Sequence, residues 1–145
     1  MIALIQRVSQ ASVTIDKKIV GEIDRGLLVF LAIEPKDTEA KTKRLAQRVA
    51  GYRVFNDEKG KMNLNVKQAD GDFLVISQFT LAADTSSGMR PSFTSAAKPE
   101  LSNHLYQLFV SQLRDEGFNV PTGQFGADMQ VALINDGPVT FTLTI

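Results

Sequence analysis

The sequence has no cysteine and a single histidine, His104. Without cysteine there are no disulfides, no thiolate nucleophile and no zinc–thiolate site, and a reducing cytosol is the natural compartment. One histidine argues against transition-metal sites, which favour several nitrogen or sulfur ligands. It also leaves a Ser–His–Asp hydrolase only one available base, and no serine sits in a Gly-x-Ser-x-Gly elbow. A glycine-rich phosphate loop and a motif of spaced acidic metal ligands are both missing. Long apolar runs are missing too: the longest, residues 27–33, falls far short of the ~20 residues of a membrane span. The opening Met1-Ile2-Ala3-Leu4-Ile5-Gln6-Arg7 lacks the basic leader, apolar stretch and cleavage site of a signal peptide. The expectation is a cytoplasmic protein with no membrane partner, metal or cofactor.

Net charge is absent as well, with 16 basic against 16 acidic residues. That balance is awkward for a nucleic-acid partner, because phosphate contacts usually demand a basic surface. The distribution softens the objection. Residues 1–100 carry +3 and residues 101–145 carry −3. Within residues 36–67, nine basic side chains (Lys36, Lys41, Lys43, Arg44, Arg48, Arg53, Lys59, Lys61, Lys67) face four acidic ones. Such a segment is either an ordinary solvated helix and hairpin or a local RNA-facing patch.

What is present is enough for one core. The chain has 145 residues, 43% of them hydrophobic, and a domain of this size buries roughly two-thirds of its unfolded surface. Residues 1–9 read as a strand, and 11–15 with 19–23 as a hairpin turning at Asp16-Lys17-Lys18. Residues 27–33 read as a central strand covered on both faces. Asp37 or Thr38 caps a helix running to about Gly51, with Leu45, Ala46 and Val49 inward. Short strand 52–55, turn 56–60 and strand 73–81 follow. Residues 82–98, rich in Ser, Thr, Gly and Pro, form a long loop of the kind that usually carries function. Pro99 opens a second helix with Leu101, Leu105, Leu108, Phe109 and Leu113 on one stripe, ended by Gly117. Strands 129–134 and 139–145 close the chain. The fold class is α+β: a single strand-rich domain over residues 1–145, with a curved sheet or partial barrel and two main helices.

Three polar patches stand out against this pattern. Ser77-Gln78-Phe79-Thr80-Leu81 ends an apolar strand, where backbone N–H groups and hydroxyls are exposed together and suit an oxyanion; an edge strand carrying Ser and Thr reads the same. Phe125-Gly126-Ala127-Asp128-Met129 offers small residues between Phe and Met, as a pocket lining or as plain turn chemistry. Asn135-Asp136-Gly137-Pro138-Val139-Thr140 reads on its own as a hairpin turn with an edge proline.

Together, in this order and spacing, these patches resemble the D-aminoacyl-tRNA deacylase (D-tyrosyl-tRNA deacylase) family. The resemblance spans the chain and includes Gln6-Arg7-Val8-Ser9-Gln10-Ala11-Ser12-Val13, Gly88-Met89-Arg90-Pro91-Ser92-Phe93 and Gly123-Gln124 ahead of the second patch. It implies an editing hydrolase that cleaves the ester of D-aminoacyl-tRNA, including mischarged glycyl-tRNA, and works as a homodimer with sites at the subunit interface. Gly137 and Pro138 would form a cis turn inserted into the partner's pocket to exclude L side chains, with Arg7 steadying it. Ser77, Gln78, Phe79 and Thr80 would hold the terminal adenosine and the ester, with Ser77, Gln78 and Thr80 nearest the chemistry. Phe125, Ala127, Met129 and Ala97 would line the cleft. The resemblance also implies chemistry assisted by the 2′-hydroxyl of the terminal ribose. Thr80 as a nucleophile is the other option, and a positioning role is preferred. Two alternatives stand beside this reading. One is a non-catalytic RNA-binding module recognising charged tRNA 3′ ends, and the other is a small-molecule hydrolase using Ser77 or Thr80.

Overall fold

The computed structural model describes residues 1–145 and is organised around one long strand, β1 (Ile2–Ile15). Nothing between Ser9 and Ala11 breaks the backbone, so the two strands expected there are one. Along one edge β1 pairs antiparallel with β7 (Gln130–Thr144) over its whole length, Ile2 opposite Thr144 and Thr14 opposite Gln130. The other edge is shared. β2 (Lys18–Ile23) pairs with residues 11–15 of β1, and β3 (Gly26–Ala32) with residues 2–8. The β1–β2 turn is tighter than expected, just Asp16 and Lys17, both in the left-handed region at φ 48° and 65°. A two-residue turn of this kind matches the twist of the strands it joins.

Outside β3 lies β6 (Asp72–Ser77), running parallel to it from Gly26 opposite Asp72 to Leu31 opposite Ser77. The approach at its start is close enough to require glycine: a Cβ on Gly26 would lie 2.0 Å from the Asp72 carbonyl oxygen. Beyond β6 the segment after the second helix completes the edge, with the Phe73 N–H donating to Asn119 O at 3.2 Å and the Val75 N–H to Pro121 O at 3.1 Å. Gly21 of β2 packs against Thr122 and Leu74, so the sheet curls until its two sides nearly meet. This is the curved, partly closed sheet expected from the strand-rich pattern.

Two helices cover the outer face. α1 (Glu39–Gly51) is capped by Thr38, whose hydroxyl accepts the Lys41 N–H at 3.3 Å. Asp37 does other work: it is buried and accepts the Met1 ammonium at 2.9 Å and the Glu34 N–H at 2.7 Å. α2 (Pro99–Asp115) starts on proline, where the missing N–H costs nothing. Its buried stripe is Ser102, Leu105, Tyr106, Phe109, Val110 and Leu113. Leu101 and Leu108, expected on that stripe, are only half-buried. No helix is long and apolar enough to cross a membrane.

Because side chains alternate along a strand, β3 and β6 send residues both ways. Leu27, Val29, Phe73 and Val75 join the large core under the helices, while Leu28, Leu74 and Ile76 join Val8, Ala11, Val13 and Ile23 on the inside of the curl. Three expectations are corrected. The short strand at 52–55 is β4 (Phe55–Asn56), hydrogen-bonded to β5 (Met62–Leu64), which was not anticipated. The strand expected to reach Leu81 stops at Ser77. Gln78 gives its N–H to Leu31 O at 2.8 Å, and Phe79–Ala82 winds into a 3-10 turn. The two closing strands are one strand, β7, interrupted by an outward excursion rather than a hairpin, because both halves pair with β1 in the same direction.

Tyr106 ties α2 to the sheet, its hydroxyl donating to the Val75 carbonyl at 2.9 Å. Burial pushes the phenol up to about 12, against the opposing pull of the Thr122 side chain and the Arg114 charge. A phenol raised above its ordinary value of 10.0 stabilises the fold fully below pH 10 and loses that contribution as pH rises toward 12. Tyr106→Phe is expected to cost about 1–2 kcal/mol at neutral pH and to flatten the decline in stability between those two pH values. Urea denaturation of both proteins across that range checks it.

Candidate functional site

Where β6 ends, the backbone turns away from its neighbour and opens a cavity of about 530 Å³. One wall is Ile76, Ser77, Gln78 and Phe79, the second is Ala97, Pro99 and Ser102 at the entry to α2, and the third is residues 125–129 with Val131. Each wall has a local cause. The first exists because the sheet ladder stops at Ser77 and the 3-10 turn begins. The N–H groups of Phe79 and Thr80 precede the first internal bond of that turn, Leu81 N–H to Gln78 O at 3.2 Å, so they have no acceptor within the turn itself. The Gln78 amide donates to the Thr80 hydroxyl at 2.5 Å, which fixes both side chains.

The second wall is positioned by the Ala97 N–H, which donates to Ile33 O at 3.2 Å and holds the end of the long loop against the sheet. The third is a tight turn, Ala127 N–H to Gln124 O at 3.2 Å, with Gly126 in the left-handed region at φ 77°. Phe125 leans on the Tyr106 ring, centroids 6.1 Å apart. Met129 enters the cavity over Gly123, where a Cβ would lie 2.4 Å from its sulfur. The lining is mostly apolar with a few polar groups, and Asp128 is its only ionisable side chain.

Seven of the residues singled out from the sequence are thus gathered in one cleft: Ser77, Gln78, Phe79, Ala97, Phe125, Ala127 and Met129. Thr80 is exposed beside it, tied through Gln78. Gly126 and Asp128 belong to the 125–129 patch read from the sequence as a pocket lining, whereas Ile76, Pro99, Ser102 and Val131 were not foreseen. Ser102 and Pro99 are three apart on the first turn of α2, which a helical reading would have placed on one face.

Arg7, Gly137 and Pro138 lie elsewhere. None of them lines this cleft; they sit on the β1–β7 edge of the sheet. The Gly137–Pro138 peptide bond is cis, and Asp136, Gly137 and Pro138 are exposed while Val139 is buried beneath them. Arg7, almost fully buried, holds the excursion from below. Its Nε donates to Asp136 O at 3.0 Å and its Nη1 to Val54 O at 2.7 Å and Asn56 Oδ1 at 3.3 Å. Asn135 closes the neck, its side-chain amide donating to Thr140 Oγ1 at 2.8 Å and its Oδ1 accepting the Val139 N–H at 3.1 Å.

His104 does not reach the cleft walls; it meets Glu39 of α1 on the surface, 2.8 Å away. No group of three His, Cys, Asp or Glu side chains is placed to hold a metal ion. Of the basic residues in 36–67, Lys41 pairs with Asp37 at 3.6 Å, Arg48 donates to Thr144 O at 2.9 Å and Arg53 to Asn63 O at 2.6 Å. Lys36, Lys43, Arg44, Lys59, Lys61 and Lys67 point outward without such commitments.

This arrangement has close counterparts. Residues 4–144 match the D-Tyr-tRNA(Tyr) deacylase family. A D-aminoacyl-tRNA deacylase of Colwellia psychrerythraea is 81% identical over 145 residues, covering all of both chains. One of Pectobacterium carotovorum is 62% identical over 143 residues, 99% of each. Among solved structures, the c-Myc DNA Unwinding Element Binding Protein superposes with a TM-score of 0.94 at 37% identity, covering 100% of this chain and 99% of that one. A probable eukaryotic D-amino acid tRNA deacylase gives a TM-score of 0.86 at 17% identity, covering 99% and 98%, a likeness of fold alone. With the fold and the sequence agreeing over essentially its full length, the chain belongs to the D-Tyr-tRNA(Tyr) deacylase family.

Proposed function

We propose that this protein hydrolyses the ester of D-aminoacyl-tRNA, releasing the free D-amino acid and tRNA. The observation that carries the reading is the cleft itself: six family-signature positions and Ala97, from three distant segments, converge on one cavity of about 530 Å³. Water adds to the ester carbonyl, the bond to the ribose oxygen breaks, and that oxygen takes up a proton as it leaves. The N–H groups of Phe79 and Thr80 open the 3-10 turn at the cleft and are the donors proposed to hold the developing oxyanion. Ser77 and the coupled pair Gln78–Thr80 position the terminal ribose and ester. The ribose 2′-hydroxyl serves the proton transfers, a role that no histidine in the cleft competes for. Purified protein incubated with D-Tyr-tRNA and with a simple D-tyrosine ester separates the readings. Cleavage of the tRNA ester alone supports editing, whereas stable binding without turnover favours an RNA-binding module.

His104 is taken up by Glu39 and the cleft offers no set of metal ligands, so deacylation is expected to survive both exhaustive chelation and His104→Ala within about threefold. Removing a general base typically costs 10²–10⁴, and a loss of that size in either case would sink the tRNA-assisted chemistry.

The proposed active unit is a homodimer in which the Asp136–Gly137–Pro138 excursion of one subunit enters the cleft of the other. Supporting this, the excursion is exposed, held rigidly by Arg7 and Asn135, and too far round the sheet to line its own cleft. Activity and dimer should disappear together on dilution when sedimentation and deacylation are followed on the same samples. A fully active monomer is the outcome that contradicts it.

In that dimer the turn discriminates by collision with the Cβ of an L-aminoacyl group, so glycine, lacking a Cβ, is not refused. D-Tyr-tRNA and Gly-tRNA should both be cleaved, and L-Ala-tRNA more than about a hundredfold more slowly. One methylene in a pliable apolar pocket is worth only about 1–3 kcal/mol, so the upper part of that range must come from rigidity. Gly137 has φ 135° and a Cβ there would lie 2.6 Å from Val139 Cγ2 and 3.2 Å from Arg7 Nη2. Gly137→Ala is therefore expected to displace the turn and lower both permitted activities at least tenfold. L-Ala-tRNA turning over as fast as Gly-tRNA in the wild-type protein would rule out chiral rejection by the turn.

A further inference from the structure

The rim of the cleft carries a second aromatic ring that the deacylase reading does not use. Phe79, a lining residue, is 55% exposed, and Phe93, in the long loop before α2, is 41% exposed. The two rings pack on each other with centroids 5.1 Å apart and planes inclined by 55°. Phe93 is not part of the cleft wall, so the pair continues the apolar surface outward from the cavity.

The loop that presents Phe93 is held at its neck. Asp84 and Ser92 exchange backbone hydrogen bonds of 2.8 and 3.0 Å, the Ser95 hydroxyl donates to Ala82 O, and the Ala96 N–H donates to Phe93 O at 3.1 Å. The Asp84 carboxylate accepts the Ser86 N–H at 2.9 Å, and the Ser86 side-chain and backbone bonds hold its pKa below the usual carboxylate range. Phe93 sits just past this neck, while the tip carries Met89, fully exposed, and Arg90. Arg90 takes part in none of the ion pairs, which are made by Met1, Arg7, Lys41 and His104. A solvent-facing aromatic pair on a loop whose tip carries an uncommitted guanidinium has the chemistry that grips single-stranded nucleic acid, by stacking on bases and attraction to phosphate.

We propose that Phe93, backed by Phe79 and with Arg90 three residues before it on the same loop, is a stacking platform for the nucleotide that precedes the terminal adenosine of the tRNA 3′ end. The proposal rests on reading the cleft as the seat of that adenosine. The occupant follows from continuity: a strand whose last base lies in the cleft must leave over its rim, and this rim offers an aromatic face on a loop that also carries a free positive charge. Phe93 thereby contributes to binding of the polynucleotide and not to the chemical step.

The test compares two substrates with the full-length protein: D-Tyr-tRNA, and D-tyrosyl-adenosine, which has the ester but no preceding nucleotide. Phe93→Ala is expected to raise KM for D-Tyr-tRNA about tenfold, within the range for loss of one stacked base, with kcat unchanged. Both constants for D-tyrosyl-adenosine stay at the wild-type value. Phe93→Tyr restores KM and Phe93→Leu does not, and Arg90→Ala makes binding less sensitive to salt. Equal losses on both substrates, full activity of Phe93→Leu, or no effect of Phe93→Ala overturns the platform. So does a change in sedimentation of Phe93→Ala, which would make the pair a contact with a second copy of the chain. Should the wild-type protein cleave neither substrate, it is the deacylase reading that fails. The platform is then decided by fluorescence titration with cytidylyl-cytidylyl-adenosine against adenosine. A preference for the trinucleotide that vanishes in Phe93→Ala supports it, and equal affinity removes it.

Discussion

Between Gln6 and Val8 the central strand has one residue, Arg7, where its neighbour has four, because Gln6 pairs with Thr140 and Val8 with Asn135. That mismatch is the constraint from which much of the rest follows. Three extra residues cannot stay in the ladder, so residues 136–139 leave the sheet, with Val139 turned inward as an anchor and Asp136, Gly137 and Pro138 outward. The vacated ladder leaves the Asp136 carbonyl in need of a donor, and Arg7 provides one from below. A buried guanidinium unpaired with its surroundings would be costly. Here its nitrogens reach Asp136, Val54 and Asn56, so the charge ties the excursion to the residues before and within β4. The protruding turn is thus part of the rigid sheet, which is what a device for steric selection requires.

The cleft has a different origin. It forms where the β3–β6 ladder runs out, at Leu31 opposite Ser77. After Ser77 the chain winds into a 3-10 turn, and the parallel bond from Gln78 to Leu31 is the last of the ladder. Loop, helix start and the 125–129 turn then close around the strand end. Tyr106 holds the far side, through its hydroxyl to Val75 and its ring to Phe125, so one residue of α2 sets both the sheet edge and a cleft wall.

Much of this was legible in the sequence where local chemistry was decisive. Thr38 and Pro99 mark helix starts and Gly117 a helix end, and strand character was plain in residues 1–9 and 11–15, although the two stretches form a single strand. Strand ends were less visible, because Phe79, Thr80 and Leu81 have strand-like side chains and only the tertiary bond of Gln78 to Leu31 stops the ladder. The β7 excursion misled for a related reason: Asp136-Gly137 has the composition of a hairpin turn, and only pairing with a common partner strand shows that the chain does not reverse. The gathering of Ser77 with Phe125 and Met129 could not be read from spacing, since their neighbourhood depends on how far the sheet curls. Family-signature positions located them; periodicity did not. Ser102 and Asp128 carried no signal above an ordinary helix stripe and an ordinary turn.

The separation between cleft and excursion on one chain bears on the kind of catalyst proposed. A single chain offers a mostly apolar cavity with backbone donors and no titrating histidine, able to hold an ester but with little to tell one enantiomer from the other. The excursion carries no nucleophile or base; what it has is a fixed shape. If the two halves meet only across a dimer, each part has one task, with the cleft stabilising developing charge and the turn refusing a side chain. Such a division would account for an excursion held by a buried arginine and a side-chain amide rather than by loop contacts. Discrimination by collision is only as strong as the backbone that refuses to yield. It also explains why the cleft can be largely generic. Under the proposed dimer, the partner's turn would define which Cβ fits, and the pocket would need no recognition of the side chain itself.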